Sequence, residues 1–393
     1  MPLRSIDGRS ARPVALVGGR VYDPESETLS PPSTVVLRDG IIAELRASTS
    51  SPAGADAVDV SGSTVLPGLI DAHAHPTQAA SHAELLDWGG SYHAMRSATE
   101  LERMLRRGFT TVRDMGGAET GLARAVHERL LTSPRLLAGG PIFAPTGGHA
   151  LTRTIDGEVE IRRALREQFR DGADHIKLTV SGGVISKMRI ESLGFSEAEL
   201  RAAVDEARLA KRYIAAHAYT AEAVNRALEC GVRTIEHGTH IDDESIRLLT
   251  ELPDVHLVPT LVTYWSSLQS PNSFTEEQRR AVADLLERGT EALARADAAG
   301  VSLGYGTDLH GSGHELQLEE IRLRARVQRP EAILRSLTIS GASIVGLAEQ
   351  LGQVREGYLA DLLVVGSDPR ADLEAIADPS RQRIVISAGE LVR

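Results

Sequence analysis

The chain has a single cysteine, Cys230, in 393 residues, so no intramolecular disulfide can staple it. Its surroundings, LECGVRTIEHG, read as a helix end running into a strand, and Cys230 is expected to be a buried structural thiol. Positive charge is also short: 43 Lys and Arg stand against 54 Asp and Glu, a formal net charge of −11. A phosphate-backbone partner needs clustered cations to displace counterions, so nucleic acid is not an expected substrate. No apolar run reaches the roughly 18 residues of a membrane span, and MPLRSIDGRSARPVALVGG lacks the apolar core of a signal peptide. The expectation is a cytoplasmic protein with no membrane partner. Low-complexity tracts, charge blocks and solenoid repeats are missing, and Ser-rich 48–51 and 266–273 read as loops. There is no GxSxG elbow and no Ser-His-Asp spacing. SGGV at 181–184 has the glycines of a phosphate loop but no following GK[ST] or helix start, and reads as an active-site loop.

The 42% hydrophobic content at this length suffices for one large barrel or for two or three smaller domains, so size does not choose between them. Patterning does. From 64 to 345 a short apolar run, a loop and an amphipathic helical stretch recur eight times. The strand candidates are TVLPGLIDAHAH (64–75), FTTVRDM (109–115), RLLAGGPIF (135–143), DHIKLTV (174–180), YIAAHAY (213–219), VRTIEHG (232–238), VHLVPTL (255–261) and VSLGYGTD (301–308). Helical patterns lie between them, such as 196–212, opened by Ser196 and Glu199 at capping-box spacing, and 275–300. This alternation implies a parallel sheet, and eight units favour closure into a (β/α)8 TIM barrel over an open doubly wound sheet. The first sixty residues, with Asp39-Gly40 as a hairpin signal, and the last forty both read as short strands. They are expected to form a small β-sandwich from both termini, 1–63 with 350–393, around a barrel at 64–349.

DAHAHPT puts His73 and His75 two apart at the end of the first strand, where the period of two aims both imidazoles at one face. Barrel active sites lie at such strand ends. Two neutral imidazoles there suit zinc or a similar divalent ion; the alternative is a hydrogen-bonded polar pair on the rim. Other strand ends supply Lys177, His217, His237 and Asp308. In DHIKLTV the apolar Ile176, Leu178 and Val180 alternate with His175, Lys177 and Thr179, so Lys177 points inward if the apolar set faces the helices. A bare ammonium buried there is costly and repels cations. Condensed with CO2 to a carbamate, Lys177 becomes an anionic bridge between two metals; otherwise it reaches solvent or pairs with Asp308. Six ligand-type residues exceed what one tetrahedral zinc takes, so two divalent ions, zinc first, are expected. Water between two cations loses its proton near neutral pH. Asp308 is placed to take that proton and to return it to the leaving nitrogen. Tyr219, two residues after His217, is a candidate donor to the attacked carbonyl, or else a rim aromatic.

His149, in PTGGHAL, lies on a loop whose glycines let backbone approach a ligand; it either touches substrate or braces the loop. Arg153 and Arg189 are loop candidates for a substrate carboxylate, or merely solvated cations. His240, His310 and His314 fall on rim loops, whereas His82, His93, His127, His175 and His256 read as surface or packing residues.

Together, HAHPT (73–77), TVRDMGG (111–117), GGHA (147–150), IKLTVSGG (176–183), AHAYT (216–220), IEHGTHID (235–242), YGTDL (305–309) and EGYLADLLVV (356–365) resemble the amidohydrolase superfamily. The likeness is to its Xaa-Pro dipeptidase-like and ochratoxin-degrading branch, close to the imidazolonepropionase-like proteins, and runs essentially end to end. It implies that His73 and His75 hold the more buried metal, His217 and His237 the more exposed one, and that carbamylated Lys177 bridges them. Asp308 is implied as ligand and proton shuttle, and His149 as a contact to substrate, often its carboxylate. The chain departs from the commoner GGHGD by continuing Ala150-Leu151-Thr152, which puts the surrounding contacts in doubt. The resemblance also implies a homo-oligomer that hydrolyses the amide of a dipeptide or N-acyl amino acid bearing a free carboxylate. Cyclic-amide or lactone hydrolysis at the same centre is the near alternative. A mononuclear deaminase would carry an HxxE glutamate where this chain has His217-Ala218-Tyr219-Thr220, and a non-catalytic scaffold would show gaps in the ligand set.

Overall fold

The structure is a computed structural model that describes residues 12–78, 89–149, 153–184, 186, 188–269 and 274–392; His82, residues 150–152 and residues 270–273 lie outside these. Two compact units are present, one of Met1–Ile70, Arg103–Thr111 and Arg329–Arg393, the other of Asp71–Glu102 and Val112–Gln328.

The first unit holds an eight-stranded sheet to which both ends of the chain contribute. Val14–Asp23 pairs antiparallel with Thr28–Arg38, which pairs antiparallel with Ile41–Arg46. Asp56–Asp59 and Thr64–Pro67 run parallel to Val14–Asp23. Thr64–Pro67 in turn pairs antiparallel with Leu362–Val365, which is followed by Arg383–Ser387 and Glu390–Leu391. The hairpin at Asp39-Gly40 has φ of 51° and 77°, the doubly left-handed turn whose twist continues that of its strands. Leu16, Val35, Leu37, Ile42, Val65, Leu362, Val364 and Ile386 make the buried face. The run 64–75, expected as one strand, is two: Thr64–Pro67 in this sheet and Leu69–Ala74 in another. The break falls at Gly68, where a Cβ would come within 2.1 Å of Thr110 Oγ1.

Leu69–Ala74, Phe109–Asp114 and Arg135–Ala138 form a three-stranded sheet. In the second unit a six-stranded parallel sheet runs in the order Arg153–Thr154, Phe143–Ala144, Ile176–Thr179, Ile214–Thr220, Thr234–His240, His256–Val258. The segment 301–308, expected as an eighth strand, is irregular. It bridges in parallel at Leu257↔Leu303 and receives Ala72 N on Tyr305 O at 2.8 Å, so it bonds to a strand on either side. Its ladder is broken because two successive amides, Thr307 and Asp308, converge on His73 O at 3.0 and 2.8 Å.

Ile176, Leu178 and Val180 pack with Leu165, Leu200, Ala203 and Val224 of the surrounding helices, which turns His175, Lys177 and Thr179 the other way. Glu197–Leu209 starts at a complete Ser196/Glu199 capping box, a device of about 1 kcal/mol. Glu276–Ala298 starts at a similar box on Thr275 and Gln278. Residues 266–269, expected as loop, belong to the helix Leu261–Gln269. There the Ser267 hydroxyl is satisfied by Thr263 O at 2.8 Å, one turn back. Cys230 is buried. Among the described residues no helix is long and apolar enough to cross a membrane.

Candidate metal centre

Strand ends and the 301–308 segment bring the ligand-type side chains into one neighbourhood. His73 Nε2 and His75 Nε2 lie 3.4 and 3.1 Å from the Asp308 carboxylate, and one ligand atom from each of the three falls within 4.8 Å of the others. The His237 ring is 5.0 Å from that of His73, and the His217 ring 4.7 Å from that of His237. Tyr219 stands 4.6 Å from His217 and 5.1 Å from His237, and His149 is 4.5 Å from His217. Lys177, almost fully buried, lies in the field of Glu236 and Asp308. Across the parallel strands, Thr179 is in register with His217 and Ala218 with His237.

Two of these residues sit on strained backbone. His237 has φ of 72° and Asp308 has φ of 51°, the left-handed region that side chains adopt at a cost and that clusters at functional sites. For His237 the reason is geometric. Glu236 and His237 are adjacent in one strand, where strict alternation sends only one inward, and the left-handed turn lets His237 join Glu236 on the inner side.

The fit of this set to cations can be judged from the nitrogens it has already spent. His75 Nδ1 meets Gly116 O at 3.0 Å and His217 Nε2 meets Gly182 O at 3.1 Å. A carbonyl only accepts, so both rings donate there and keep their lone pairs on His75 Nε2 and His217 Nδ1. His237 Nδ1 bonds Thr260 Oγ1 at 2.8 Å, and His73 Nδ1 lies 2.7 Å from Glu236 Oε2. Burial pushes the His217 and His237 imidazoles well below their usual range, leaving them neutral, as ligands must be. Burial alone would raise the Asp308 carboxyl, but His73, His75 and His237 beside it hold it well below its usual range. The Lys177 amine is brought down to about 8 by burial, so more of it than of an ordinary lysine is the neutral form that reacts with CO2. Asp114 Oδ1 and Thr179 Oγ1 are buried polar atoms without a hydrogen-bond partner among the described residues. Four imidazoles, a carboxylate and a lysine are a donor set that two divalent ions of the zinc type accept.

Around this core, Tyr219 shares a hydrogen bond with Tyr264, whose hydroxyl is 3.1 Å from Thr239 Oγ1. Val282, Leu285, Val184 and Ile190 pack about the two rings. His149 depends on Gly183, at which a Cβ would sit 2.5 Å from its ring. His310 stacks on His75 at 4.8 Å, whereas His240 faces Asp284 at 3.5 Å and His314 Nε2 meets Gln78 O at 3.3 Å. Neither candidate arginine arrives: Arg153 is held by Glu167 at 3.0 Å, and Arg189 is 84% exposed beside Glu191. Sequence reasoning passed over Glu236, Arg113, Thr260 and Asp71. A signal existed for Glu236, since it alternates with the core residue Ile235 and therefore faces inward.

Residues 64–392 match the Amidohydrolase family. A solved prolidase complexed with N-methylphosphonate-L-proline is 37% identical, with 97% of this chain and 99% of that one covered and a TM-score of 0.93. A Xaa-Pro dipeptidase with bound methionine in its active site is 28% identical, covering 97% and 100%, with a TM-score of 0.88. The ochratoxinase of Aspergillus niger is 26% identical over 362 residues, 84% of this chain and 75% of that protein. The chain belongs to the amidohydrolase family, and is a hydrolase acting on amide bonds.

Proposed function

We propose that the protein is a binuclear metal-dependent hydrolase of dipeptides or N-acyl amino acids, cutting the amide next to a C-terminal amino acid. The observation that carries this reading is the convergence of His73, His75 and Asp308 within 4.8 Å, beside the rings of His237 and His217. The likeness to a prolidase and a Xaa-Pro dipeptidase supports the substrate class. In this reading His73, His75, Lys177, His217, His237 and Asp308 hold two divalent ions, zinc first, with Lys177 carbamylated by CO2. Ions there supply an acidified water and polarise the amide carbonyl.

The chain's own residues do the rest. Asp308, ionised and 3.1 Å from His75 Nε2, takes the proton of the attacking water and delivers it to the leaving nitrogen. Tyr219, its phenol pushed well above the usual range by burial, stays protonated and donates to the carbonyl oxygen as negative charge develops. His149 donates to the free carboxylate on the far side of the scissile bond. The apolar packing around Tyr219 and Tyr264 gives a substrate side chain a dry wall. We further propose that the strands close into a (β/α)8 barrel at 64–349, which the bonds of 301–308 to both neighbouring strands support. Residues 1–63 and 350–393 then form the second domain, and the protein works as a cytoplasmic homo-oligomer.

The test is a panel of Xaa-Pro dipeptides, N-acyl amino acids, their carboxamides, cyclic amides and lactones against metal-loaded enzyme. Open-chain amides with a free carboxylate should be turned over. Efficient hydrolysis of cyclic amides or lactones, with open-chain amides ignored, would leave the metal centre standing and refute the dipeptidase reading.

A further inference from the structure

Beneath the candidate centre lies a buried charge pair that the proposed mechanism does not use. Arg113, fully buried, donates from Nη2 to Glu236 Oε1 at 2.8 Å, from Nε to Ala72 O at 2.5 Å, and from Nη1 to Thr234 Oγ1 at 3.1 Å. The Thr234 hydroxyl donates in turn to the same Glu236 Oε1 at 2.7 Å. The other carboxylate oxygen, Oε2, is 2.7 Å from His73 Nδ1. Stability alone gives weak reason for such a pair, because buried ion pairs are often no better than apolar residues of the same volume.

We infer that Arg113 and Glu236 are a positioning pair that sets the tautomer of His73. With Oε1 occupied by two donors, Glu236 can present only an acceptor at Oε2, so His73 carries its proton on Nδ1. The lone pair is then on Nε2, the nitrogen that faces Asp308 at 3.4 Å. Second partners of this kind orient imidazole ligands and raise their affinity for metal. The inference rests on reading His73 as a metal ligand, but the hydrogen bonds that specify the proton are those of this chain alone.

Glu236→Gln is the discriminating variant, being nearly the same size and shape. The position of Oε1 still faces two donors, Arg113 and Thr234, and only the amide oxygen fits there. The amide nitrogen must then point at His73 Nδ1 and donate to it, which moves the imidazole proton to Nε2 and closes that nitrogen to a cation. Removing the guanidinium as well, in Arg113→Met/Glu236→Gln, frees the amide to turn its oxygen to His73 and restores the original tautomer. A packing role predicts the opposite order, with the single isosteric variant mild and the double one worse.

The readouts are zinc stoichiometry by elemental analysis after reconstitution, zinc affinity by competition with a chelator, and folding by circular dichroism. A neutron diffraction map of metal-free wild-type crystals adds a readout that needs no variant. Wild type should hold two equivalents. Glu236→Gln should hold about one, the lost site weakened by on the order of a hundredfold, and the double variant should regain it. The neutron map should show the deuteron of His73 on Nδ1. A folded Glu236→Gln with two equivalents at wild-type affinity overturns the inference, as does a folded double variant that fails to regain metal, or a deuteron on Nε2. Should Glu236→Gln fail to fold, the double variant and the neutron map decide. A wild type that takes up no metal refutes the proposed centre instead, and the neutron map keeps that failure distinct from this one.

Discussion

Replacing Arg324 with methionine separates what a buried charge contributes to the frame of the site from what it contributes to chemistry. Arg324 and Glu320, both fully buried, are joined at 2.7 Å one turn apart. Arg324 Nη2 also donates to Pro259 O and Gly304 O, each at 2.9 Å, and Glu320 accepts Val262 N at 2.6 Å. One residue pair thereby ties the segment after His256–Val258 to 301–308, the segment that ends in Asp308. Methionine fills much of the volume but leaves a buried carboxyl without its cation and removes two charge-assisted bonds to carbonyls. Breaking a buried pair from one side costs about 3–5 kcal/mol, a large part of a total stability of about 5–15 kcal/mol. The loss should depend on pH in a definite sense. Burial lifts the Glu320 carboxyl from 4.5 to about 7, with Arg324 opposing. A carboxyl whose folded pKa lies above its unfolded one stabilises the fold when protonated, and that contribution is lost as pH rises from the unfolded value through the folded one. Without Arg324 the folded value climbs further, so the deficit of the variant is smallest near about pH 5 and largest above about pH 8. Urea denaturation across that range measures it, and Glu320→Gln/Arg324→Met should recover most of the loss. A deficit under about 1 kcal/mol at the alkaline end, or one that does not vary with pH, refutes the reasoning.

Asp308→Asn should lower kcat by about 10²–10⁴, the usual share of a positioned proton carrier, while part of the metal stays bound; near-normal kcat in steady-state assays would remove Asp308 from proton transfer. Lys177→Ala should lose activity by orders of magnitude with the fold retained. The chain has only three lysines, Lys177, Lys187 and Lys211, so a carbamate formed from ¹³C-labelled CO2 is readily assigned by NMR, and its absence from metal-loaded wild type would end the bridging proposal. Substrates whose carboxylate is capped as an amide should lose about 1–3 kcal/mol in kcat/KM, and His149→Ala should shrink that gap; an unchanged gap places the carboxylate elsewhere.

Much of the gathering of these side chains was legible because the proposed ligands occupy positions with simple rules. The HxH spacing at a strand end put His73 and His75 on one face, and the alternation of Ile176, Leu178 and Val180 with Lys177 assigned the lysine to the other side, as their packing against the helices requires. The Asp39-Gly40 turn and the Ser196 capping box were equally local. What escaped depended on contacts distant in sequence or on departures from regular geometry. Arg113 meets Glu236 across 123 residues, and nothing in TTVRDM says that its cation is buried rather than solvated. The eighth strand was expected as regular but is not, since Thr307 and Asp308 share one carbonyl. Helical continuation through Ser266 and Ser267 was hidden by their composition, which speaks for loop until the hydroxyl bond to the preceding turn is known.

The polar residues beneath the proposed ligands follow a rule of their own. Two residues before a proposed ligand on the same strand lies the same face of the sheet, one layer deeper. Before His73 that residue is Asp71, which accepts from His73 N, Thr307 Oγ1 and Gln317 Nε2 and so fastens the first strand to the segment bearing Asp308. Before Lys177 it is His175, fully buried and stacked on Tyr213 at 5.7 Å. Before Glu236, which is outside the proposed ligand set but meets His73 Nδ1, it is Thr234, which locks Glu236 Oε1. Buried sheet faces are ordinarily filled with aliphatic side chains, which pack without desolvating charge. A polar layer in their place sacrifices some apolar packing, and in return each proposed ligand it touches gains a fixed direction: His73 through Glu236, Asp308 through Asp71 and Thr307. Two cations held a few ångströms apart repel each other, and ligands free to rotate would let them separate or lose one. A rigid hydrogen-bonded floor beneath the proposed ligands is therefore what the proposed pair of cations requires of these strand ends.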